Sequence, residues 1–121
     1  MLALELFVRG DDLLANEFAP RVHNSGHWSI EGSETSQFEN HLRAIMNLPL
    51  GSTASRGHAG MINLIGEIPP GARTVKGAAL HDYGKSPRRG RKLGHITVTA
   101  RTAALRDARL VEIMKSVVDS I

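Results

Sequence analysis

Apolar and polar residues alternate along the start of the chain, and this pattern predicts a β-hairpin. The even-numbered positions of residues 2–9 are all apolar, residues 10–12 (Gly-Asp-Asp) are typical of a turn, and residues 13–19 are again strand-like. A three-residue turn places Glu5 directly opposite Glu17. A two-residue turn shifts this pairing by one position and mixes the two faces of the hairpin, so the pattern favours the longer turn.

The favoured register brings two negative charges together. Like charges on directly opposed strand positions, with Cβ atoms about 4.5–5.5 Å apart, destabilise a hairpin unless a cation lies between them. Magnesium takes oxygen ligands and fills its remaining positions with water and phosphates. Glu5 and Glu17 are therefore candidate metal ligands. The alternative is that Arg9 or Arg21 neutralises them in an ordinary surface hairpin.

The rest of the chain carries signals for two helices and several strands. Ser36 and Glu39 form a capping box ahead of a helical apolar repeat, and Thr102 can cap a second helix. The second helix has an apolar stripe that predicts core packing. This stripe comprises Leu110, Ile113, Met114, Val117, Val118 and Ile121. Strands are predicted over residues 27–31, 61–67, 76–83 and 94–100. The predicted class is α+β, with mostly antiparallel strands and two helices.

Composition narrows the classes of protein that the chain can belong to. Apolar residues make up 41% and charged residues 22% of the sequence, which is ordinary for a soluble globular chain. The absence of cysteine excludes disulfides, thiolate metal sites and cysteine nucleophiles. No apolar run approaches membrane-spanning length, so we expect no membrane partner and a cytoplasmic location.

The positive charge is concentrated in one segment. The formal net charge is +3. Five cationic residues fall within residues 85–92, so this segment carries more positive charge than the net charge of the whole chain. They are Lys85, Arg88, Arg89, Arg91 and Lys92. A local anion site explains this distribution better than a generally basic surface. We call residues 85–92 the basic loop.

The segment 16–28, NEFAPRVHNSGHW, has the densest mixture of functional groups in the sequence. A carboxylate, an arginine, two histidines and two asparagines stand among Phe18, Val22 and Trp28. Such a mixture is typical of a site, although a polar loop anchored by a buried tryptophan is the alternative. His27 and Trp28 are assigned to packing.

These motifs resemble a known family. The segment 16–28 is similar to the signature of 5-(carboxyamino)imidazole ribonucleotide synthetases, which belong to the ATP-grasp superfamily. The likeness continues in the same order through residues 34–44 (ETSQFENHLRA), 61–66 (MINLIG), and the pair YGK at 83–85 and GRKLGH at 90–95. The resemblance implies ATP as a cofactor, with Mg²⁺, and bicarbonate as a co-substrate in the carboxylation of aminoimidazole ribonucleotide.

The resemblance implies a role for each motif. Glu5 and Glu17 correspond to magnesium ligands, with Asn16 and Glu17 at the nucleotide phosphates. The groups next to bicarbonate and the aminoimidazole, and hence the catalytic residues, are Arg21, His23 and Asn24. The residues that hold the ribose phosphate are Lys85, Arg88, Arg91 and Lys92. His95 is expected to position the basic loop.

Two positions depart from the family pattern. Arg89 stands where proline is usual, which predicts a less rigid and more basic loop. Asp82 stands where a hydrophobic residue is common, which weakens the predicted strand before Tyr83.

The resemblance also implies a domain organisation. Residues 1–50 correspond to the last segment of the ATP-grasp domain, and residues 51–121 to a small β-rich C-terminal domain. Nothing resembles the ATP-clamping strands of the family, so we expect the isolated chain to be inactive. Expected partners are the small-molecule substrates, with a homodimer as the expected assembly and no nucleic acid. The alternatives are a module that binds nucleic acid through the basic loop and a degenerate paralogue that only pairs with other chains.

Overall fold

The computed structural model describes residues 1–118. It divides into two compact units, Met1–Ala54 and Ser55–Ile121, and each is described by itself. The predicted boundary after residue 50 stays a prediction. No helix in residues 1–118 combines the length and apolarity needed to cross a bilayer.

The first unit contains a hairpin and two helices. Its strands are β1 (Ala3–Arg9) and β2 (Asp12–Ala19), and its helices are α1 (Ser29–Gly32) and α2 (Gln37–Ile45). The second unit contains β3 (His58–Ile65), β4 (Ala78–Asp82), β5 (Lys92–Ala100) and α3 (Ala103–Val118). Both sheets are antiparallel, which confirms the α+β class. The short helix α1 comes in addition to the two helices predicted.

The hairpin combines both registers that the sequence allowed. Arg9 pairs with Asp12 across a two-residue turn, so the predicted three-residue turn is wrong. The register then shifts between Glu5 and Leu6, and Glu5 nevertheless lies opposite Glu17 as predicted. A β-bulge produces this result, because one extra residue on β2 restores the pairing that the shorter turn had displaced.

The segment after the hairpin is helical, so the strand predicted over residues 27–31 is wrong. A 3₁₀ turn at Asn24–Gly26 leads into α1. The hydroxyl of Ser29 donates to the Gly26 carbonyl at 2.6 Å and accepts the Gln37 N–H at 2.9 Å. This buried serine ties three parts of the segment together, and such contacts between distant residues override the local strand preference.

Helix α2 begins as the capping box predicts and buries a polar residue. The Ser36 hydroxyl accepts the Glu39 N–H at 3.2 Å. Asn40 is buried, and its amide both accepts the Gly51 N–H at 2.9 Å and donates to the Gly51 carbonyl at 3.2 Å. The apolar residues Leu42, Ile45 and Met46 of this helix are exposed within the described chain.

The second unit is built around β5, which lies between β3 and β4. The core cluster comprises Leu64, Ala72, Ile96, Val98 and Ile113. Gly94 lies opposite Asp82, and a Cβ on Gly94 would approach the His81 carbonyl oxygen to 2.3 Å. The close approach of β4 to β5 therefore requires glycine at this position.

Helix α3 closes the core, although only part of its predicted stripe is buried. Thr102 caps the helix by accepting the Leu105 N–H at 3.2 Å, as predicted. Ile113 is buried and Leu110 packs against the same cluster, whereas Met114 is exposed, so the prediction of core packing is wrong for Met114. Ile121 and the side chains of Val117 and Val118 lie outside the described residues.

Candidate active site

Two carboxylates of the hairpin and one histidine from the segment that follows it come together in the first unit. The Nε2 atom of His23 lies 3.6 Å from a Glu5 carboxylate oxygen and 3.4 Å from a Glu17 carboxylate oxygen. One ligand atom from each of the three residues fits within 4.8 Å of the others. The structure thus adds His23 to the predicted carboxylate pair. The His23 side chain is only 11% exposed, whereas both carboxylates are about half exposed.

An arginine also reaches this cluster. The Arg21 guanidinium donates to the second Glu17 oxygen at 3.0 Å. Arg9 instead pairs with Asp12 at 3.6 Å. The alternative in which an arginine neutralises the glutamates is therefore realised by Arg21, and at Glu17. His23 lies within 3.6 Å of both carboxylates, whereas Arg21 pairs with Glu17.

The orientation of His23 is fixed from several sides. Its Nδ1 accepts the Ser25 N–H at 3.3 Å and lies 2.9 Å from the Ser25 hydroxyl. Gln37 accepts the His23 N–H at 3.1 Å and donates to the His23 carbonyl at 2.8 Å. Because Nδ1 accepts a hydrogen bond from the Ser25 amide, a neutral His23 carries its ring proton on Nε2. That proton points at the two carboxylates.

The donor set fits a hard divalent cation. Two carboxylates on adjacent strands offer the oxygen ligands that Mg²⁺ prefers. Metal ligation by His23 requires loss of its Nε2 proton, so the hydrogen bond at Nδ1 favours His23 as a donor beside the metal. Glu5 and Glu17 are the residues that would hold Mg²⁺.

The other predicted residues of this segment lie close by in the chain. Asn16 is the extra residue at the hairpin bulge, between Ala15, which pairs with Leu6, and Glu17. Asn24 begins the 3₁₀ turn, where its carbonyl accepts the His27 N–H at 3.1 Å. Nδ1 of His27 lies 2.8 Å from the Gln37 amide nitrogen, and the assignment of His27 to packing stays a prediction.

A cavity of about 430 Å³ in the first unit is lined by His23 together with Ser25, Trp28, Thr35 and Gln37. Sequence reasoning assigned no function to Ser25 or Gln37. The one signal for Gln37 was its place in the motif at 34–44. Trp28 was assigned to packing, yet it lines the cavity, so its indole contributes an apolar wall.

The basic loop belongs to the second unit. Its side chains are mostly exposed, and Lys85 Nζ lies 5.2 Å from the centre of the Tyr83 ring. The Arg91 N–H donates to the Arg88 carbonyl at 3.0 Å across a turn in which Gly90 has a φ of 75°. The Arg91 guanidinium is a further donor to the Ser86 carbonyl at 3.3 Å.

The start of the basic loop is held by buried aromatic contacts. The Tyr83 hydroxyl lies 2.7 Å from Nδ1 of His95, which is buried and stacks on His81 with ring centres 4.5 Å apart. Burial raises the pKa of Tyr83 above its ordinary value. The positioning role of His95 stays a prediction.

Asp82 has a structural role that the sequence did not reveal. Its carboxylate accepts the Gly84 N–H at 2.9 Å and the Arg73 guanidinium at 3.0 Å. The hydrogen bond from Gly84, followed by that from Arg73, holds the pKa of Asp82 below its ordinary value. Asp82 is the last residue of β4, so its carboxylate holds the chain at the end of that strand, shortly before the basic loop.

Two family models match the chain. The ATP-grasp domain matches residues 1–38, and the phosphoribosylaminoimidazole carboxylase C-terminal domain matches residues 59–109. The N5-carboxyaminoimidazole ribonucleotide synthase of Pseudomonas aeruginosa is 55% identical over 115 residues, which cover 93% of this chain and 32% of that protein. The names of these relatives give no support to a nucleic-acid-binding module.

Solved structures give the same result. The N5-carboxyaminoimidazole ribonucleotide synthetase of Thermus thermophilus is 58% identical with a TM-score of 0.87, covering 96% of this chain and 33% of that one. The enzyme of Aspergillus clavatus, solved with ADP and 5-aminoimidazole ribonucleotide, is 38% identical with a TM-score of 0.81, covering 94% and 34%. The chain spans about a third of the length of these relatives. By sequence and by fold, it belongs to the N5-carboxyaminoimidazole ribonucleotide synthase family.

Proposed function

We propose that this chain supplies the metal-binding hairpin and part of the substrate site of an ATP- and bicarbonate-dependent ligase. The reaction carboxylates the amine of 5-aminoimidazole ribonucleotide in purine biosynthesis. The observation that carries the proposal is the meeting of Glu5, Glu17 and His23 at the hairpin. The bulge brings two carboxylates face to face. Arg21 pairs with Glu17, and a divalent cation held by both carboxylates would offset the repulsion that remains between them.

The hairpin residues are proposed to have different roles in binding the nucleotide. Glu5 and Glu17 would hold Mg²⁺, and Asn16 on the bulge would donate its amide N–H groups to a phosphate oxygen. When bound, the metal would neutralise charge on the phosphates during phosphoryl transfer. Arg21 already pairs with Glu17, so it can keep that carboxylate oriented.

His23 is proposed to hold and move a proton at its Nε2 atom. The ring cannot rotate freely, because Ser25 and Gln37 hold Nδ1 and the backbone of His23. A fixed Nε2–H can donate a hydrogen bond to a bicarbonate oxygen. In the other neutral tautomer, with the proton on Nδ1 and directed at the Ser25 hydroxyl, Nε2 can accept the proton that leaves the amine. Arg21 and Asn24 would provide the further hydrogen bonds that hold the bicarbonate.

The basic loop is proposed to bind the phosphate of the ribonucleotide. Lys85, Arg88, Arg91 and Lys92 offer donors in directed, charge-assisted hydrogen bonds. The relative from A. clavatus was solved with 5-aminoimidazole ribonucleotide, which supports this class of ligand. The homodimer stays a prediction.

A chimera tests the proposal. This chain replaces the matched segment of the P. aeruginosa synthase, with which it shares 55% identity. We expect ADP release that depends on both bicarbonate and 5-aminoimidazole ribonucleotide. Glu17→Gln in the chimera should lower kcat by at least about a hundredfold, because a ligand to the catalytic metal is lost.

The matched control is Glu39→Gln. Glu39 is a half-exposed carboxylate of the same unit that pairs with Arg43 at 2.7 Å, remote in sequence from the hairpin. It should leave kcat within about twofold, as expected for a surface pair. A folded chimera without substrate-dependent ADP release, or equal losses for the two variants, would refute the proposal.

A further inference from the structure

The side-chain amide of Gln37 bonds to both sides of the His23 backbone. Gln37 is the first residue of α2, and its own N–H is held by the Ser29 hydroxyl at 2.9 Å. Its Oε1 accepts the His23 N–H at 3.1 Å, and its Nε2 donates to the His23 carbonyl at 2.8 Å. These two backbone groups determine which end of the amide is nitrogen, because the flipped amide would place donor against donor and acceptor against acceptor.

The same nitrogen also reaches a second histidine. Gln37 Nε2 lies 2.8 Å from Nδ1 of His27, so one of its N–H groups meets the His23 carbonyl and the other meets this ring atom. Nδ1 is then an unprotonated acceptor, and a neutral His27 carries its ring proton on Nε2. The His27 ring also packs against Phe38, with ring centres 5.1 Å apart. Both N–H groups of the amide are used, and a carboxylate could replace neither.

Gly26 leaves room for this amide. A Cβ at position 26 would lie 2.7 Å from Gln37 Oε1 and 2.9 Å from its amide carbon, which is too close for the amide to stay in place. The Gly26 N–H donates to the His23 carbonyl at 3.0 Å, beside the Gln37 donor. Gly26→Ala would therefore displace the Gln37 amide from the His23 backbone without removing any of the groups involved.

We propose that Gln37 is a positioning residue that acts through His23, an inference that rests on the proposed function of His23. Ser25, which holds the His23 ring, belongs to the same turn and moves with it. Gln37 lies fourteen residues further along the chain, on α2, so its amide ties that turn to a helix. Misplacing a catalytic group by about 1 Å can cost about a hundredfold in rate.

The first test follows the ring nitrogens by NMR in the 121-residue chain labelled with ¹⁵N-histidine, at alkaline pH, where histidine rings are neutral. In the wild type we expect an unprotonated Nδ1 in His27. Gln37→Glu keeps the length and the acceptor but puts a carboxylate oxygen in place of the donor, so Nδ1 of His27 should gain a proton. Asn40→Asp is the matched control on the same helix. Its buried amide contacts Gly51 instead, so it should leave Nδ1 unprotonated.

The second test measures kcat in the chimera described above. Gln37→Glu and Gly26→Ala should each lower kcat by between about tenfold and about a hundredfold. The KM for ATP should stay within about twofold, because His23 is proposed to act on bicarbonate and the amine. Glu39→Gln is again the control. Thermal unfolding of each variant is measured alongside, and Gly26→Ala decides the proposal should Gln37→Glu fail to fold.

The outcomes separate this proposal from the proposed function. A protonated Nδ1 in wild-type His27, an unprotonated one in Gln37→Glu, or an equal response in Asn40→Asp would overturn the positioning role, and these readouts need no substrate. An active chimera in which Gln37→Glu and Gly26→Ala keep their kcat would also overturn it and leave the proposed function intact. A folded chimera that is inactive before any of these changes would refute the proposed function and, with it, the role of Gln37 in that reaction.

Discussion

The two antiparallel sheets of this chain differ in what covers them. In the hairpin β1–β2, most residues are exposed within the described chain, and Val8 is 75% exposed. In the sheet β3–β5–β4, the central strand is buried from Leu93 to Val98, and Ile96 is fully buried. Both sheets arise from strands rich in apolar residues, so apolar content alone does not decide burial.

The hairpin carries the proposed metal site, whereas the sheet β3–β5–β4 carries the larger core. A lone two-stranded hairpin is marginally stable in water. The positions of Glu5 and Glu17 therefore depend on the polar contacts of His23 and Arg21 more than on packing. In the second unit, buried strands hold the basic loop.

The largest expected effect comes from the core of the second unit. Ile113→Ala should reduce the free energy of unfolding by about 2–5 kcal/mol, because it leaves a cavity in a close-packed cluster. Val8→Ala, the control in the exposed hairpin, should cost less than about 0.5 kcal/mol. Urea unfolding followed by backbone NMR signals in each unit measures both. Comparable losses would show that the hairpin is as well packed as the core.

The next effect concerns the polar contact that holds the first unit. Asn40→Ala leaves the Gly51 N–H and C=O without their buried partner and should cost about 1–3 kcal/mol. Asn40→Asp keeps the acceptor for the Gly51 N–H, so its stability should lie between those of the wild type and Asn40→Ala. Hydrogen exchange of the Gly51 amide is the measurement. Unchanged protection in Asn40→Ala would mean that Gly51 is held by something else.

A smaller change is expected at the turn of the basic loop. Arg89 precedes Gly90, whose φ of 75° suits the third position of a type II turn, and proline favours the second position. Arg89→Pro should therefore stabilise the second unit by about 0.4–1 kcal/mol, by restricting the unfolded chain. Arg89→Ala is the control without that restriction. A loss of thermal stability in Arg89→Pro, relative to Arg89→Ala, would contradict this turn geometry.

The smallest effect is a pH dependence at Asp82, which is exposed and screened by solvent. Its folded-state pKa is lowered from 3.8 by the Gly84 N–H and by Arg73. The ionised carboxylate thus stabilises the fold above that ordinary value, and this contribution is lost as the pH falls through the folded-state pKa. Between about pH 7 and about pH 3, Asp82→Asn should lose less thermal stability than the wild type. Equal losses would exclude this role.

Local signals predicted most of the secondary structure. The capping box of Ser36 and the cap at Thr102 form as expected, because each depends on a hydrogen bond between residues close in sequence. The strand predicted over residues 27–31 failed because Ser29 and Gln37, eight residues apart, hold that segment in helical turns. The pattern of apolar and polar residues along the chain does not reveal a hydrogen bond of that kind.

The site was predicted in part. The facing of Glu5 and Glu17 follows from alternation, although the short turn and the bulge that together produce it are not visible in the pattern. The place of His23 between the carboxylates depends on Ser25 and Gln37, and the sequence places neither near the hairpin. The exposure of Leu42, Ile45 and Met46 could not be predicted either. An apolar stripe on a helix predicts burial but does not show whether another element covers the stripe.

Binding of a divalent ion between Glu5 and Glu17 is the step on which the proposed function depends. Manganese, a paramagnetic substitute for magnesium, can be titrated into the ¹⁵N-labelled chain at substoichiometric amounts. We expect the amide signals of residues 3–6 and 16–23 to broaden first, and the double variant Glu5→Gln, Glu17→Gln to abolish this broadening. Glu39→Gln should leave it unchanged. Broadening that centres elsewhere, or that survives in the double variant, would contradict a metal site on the hairpin.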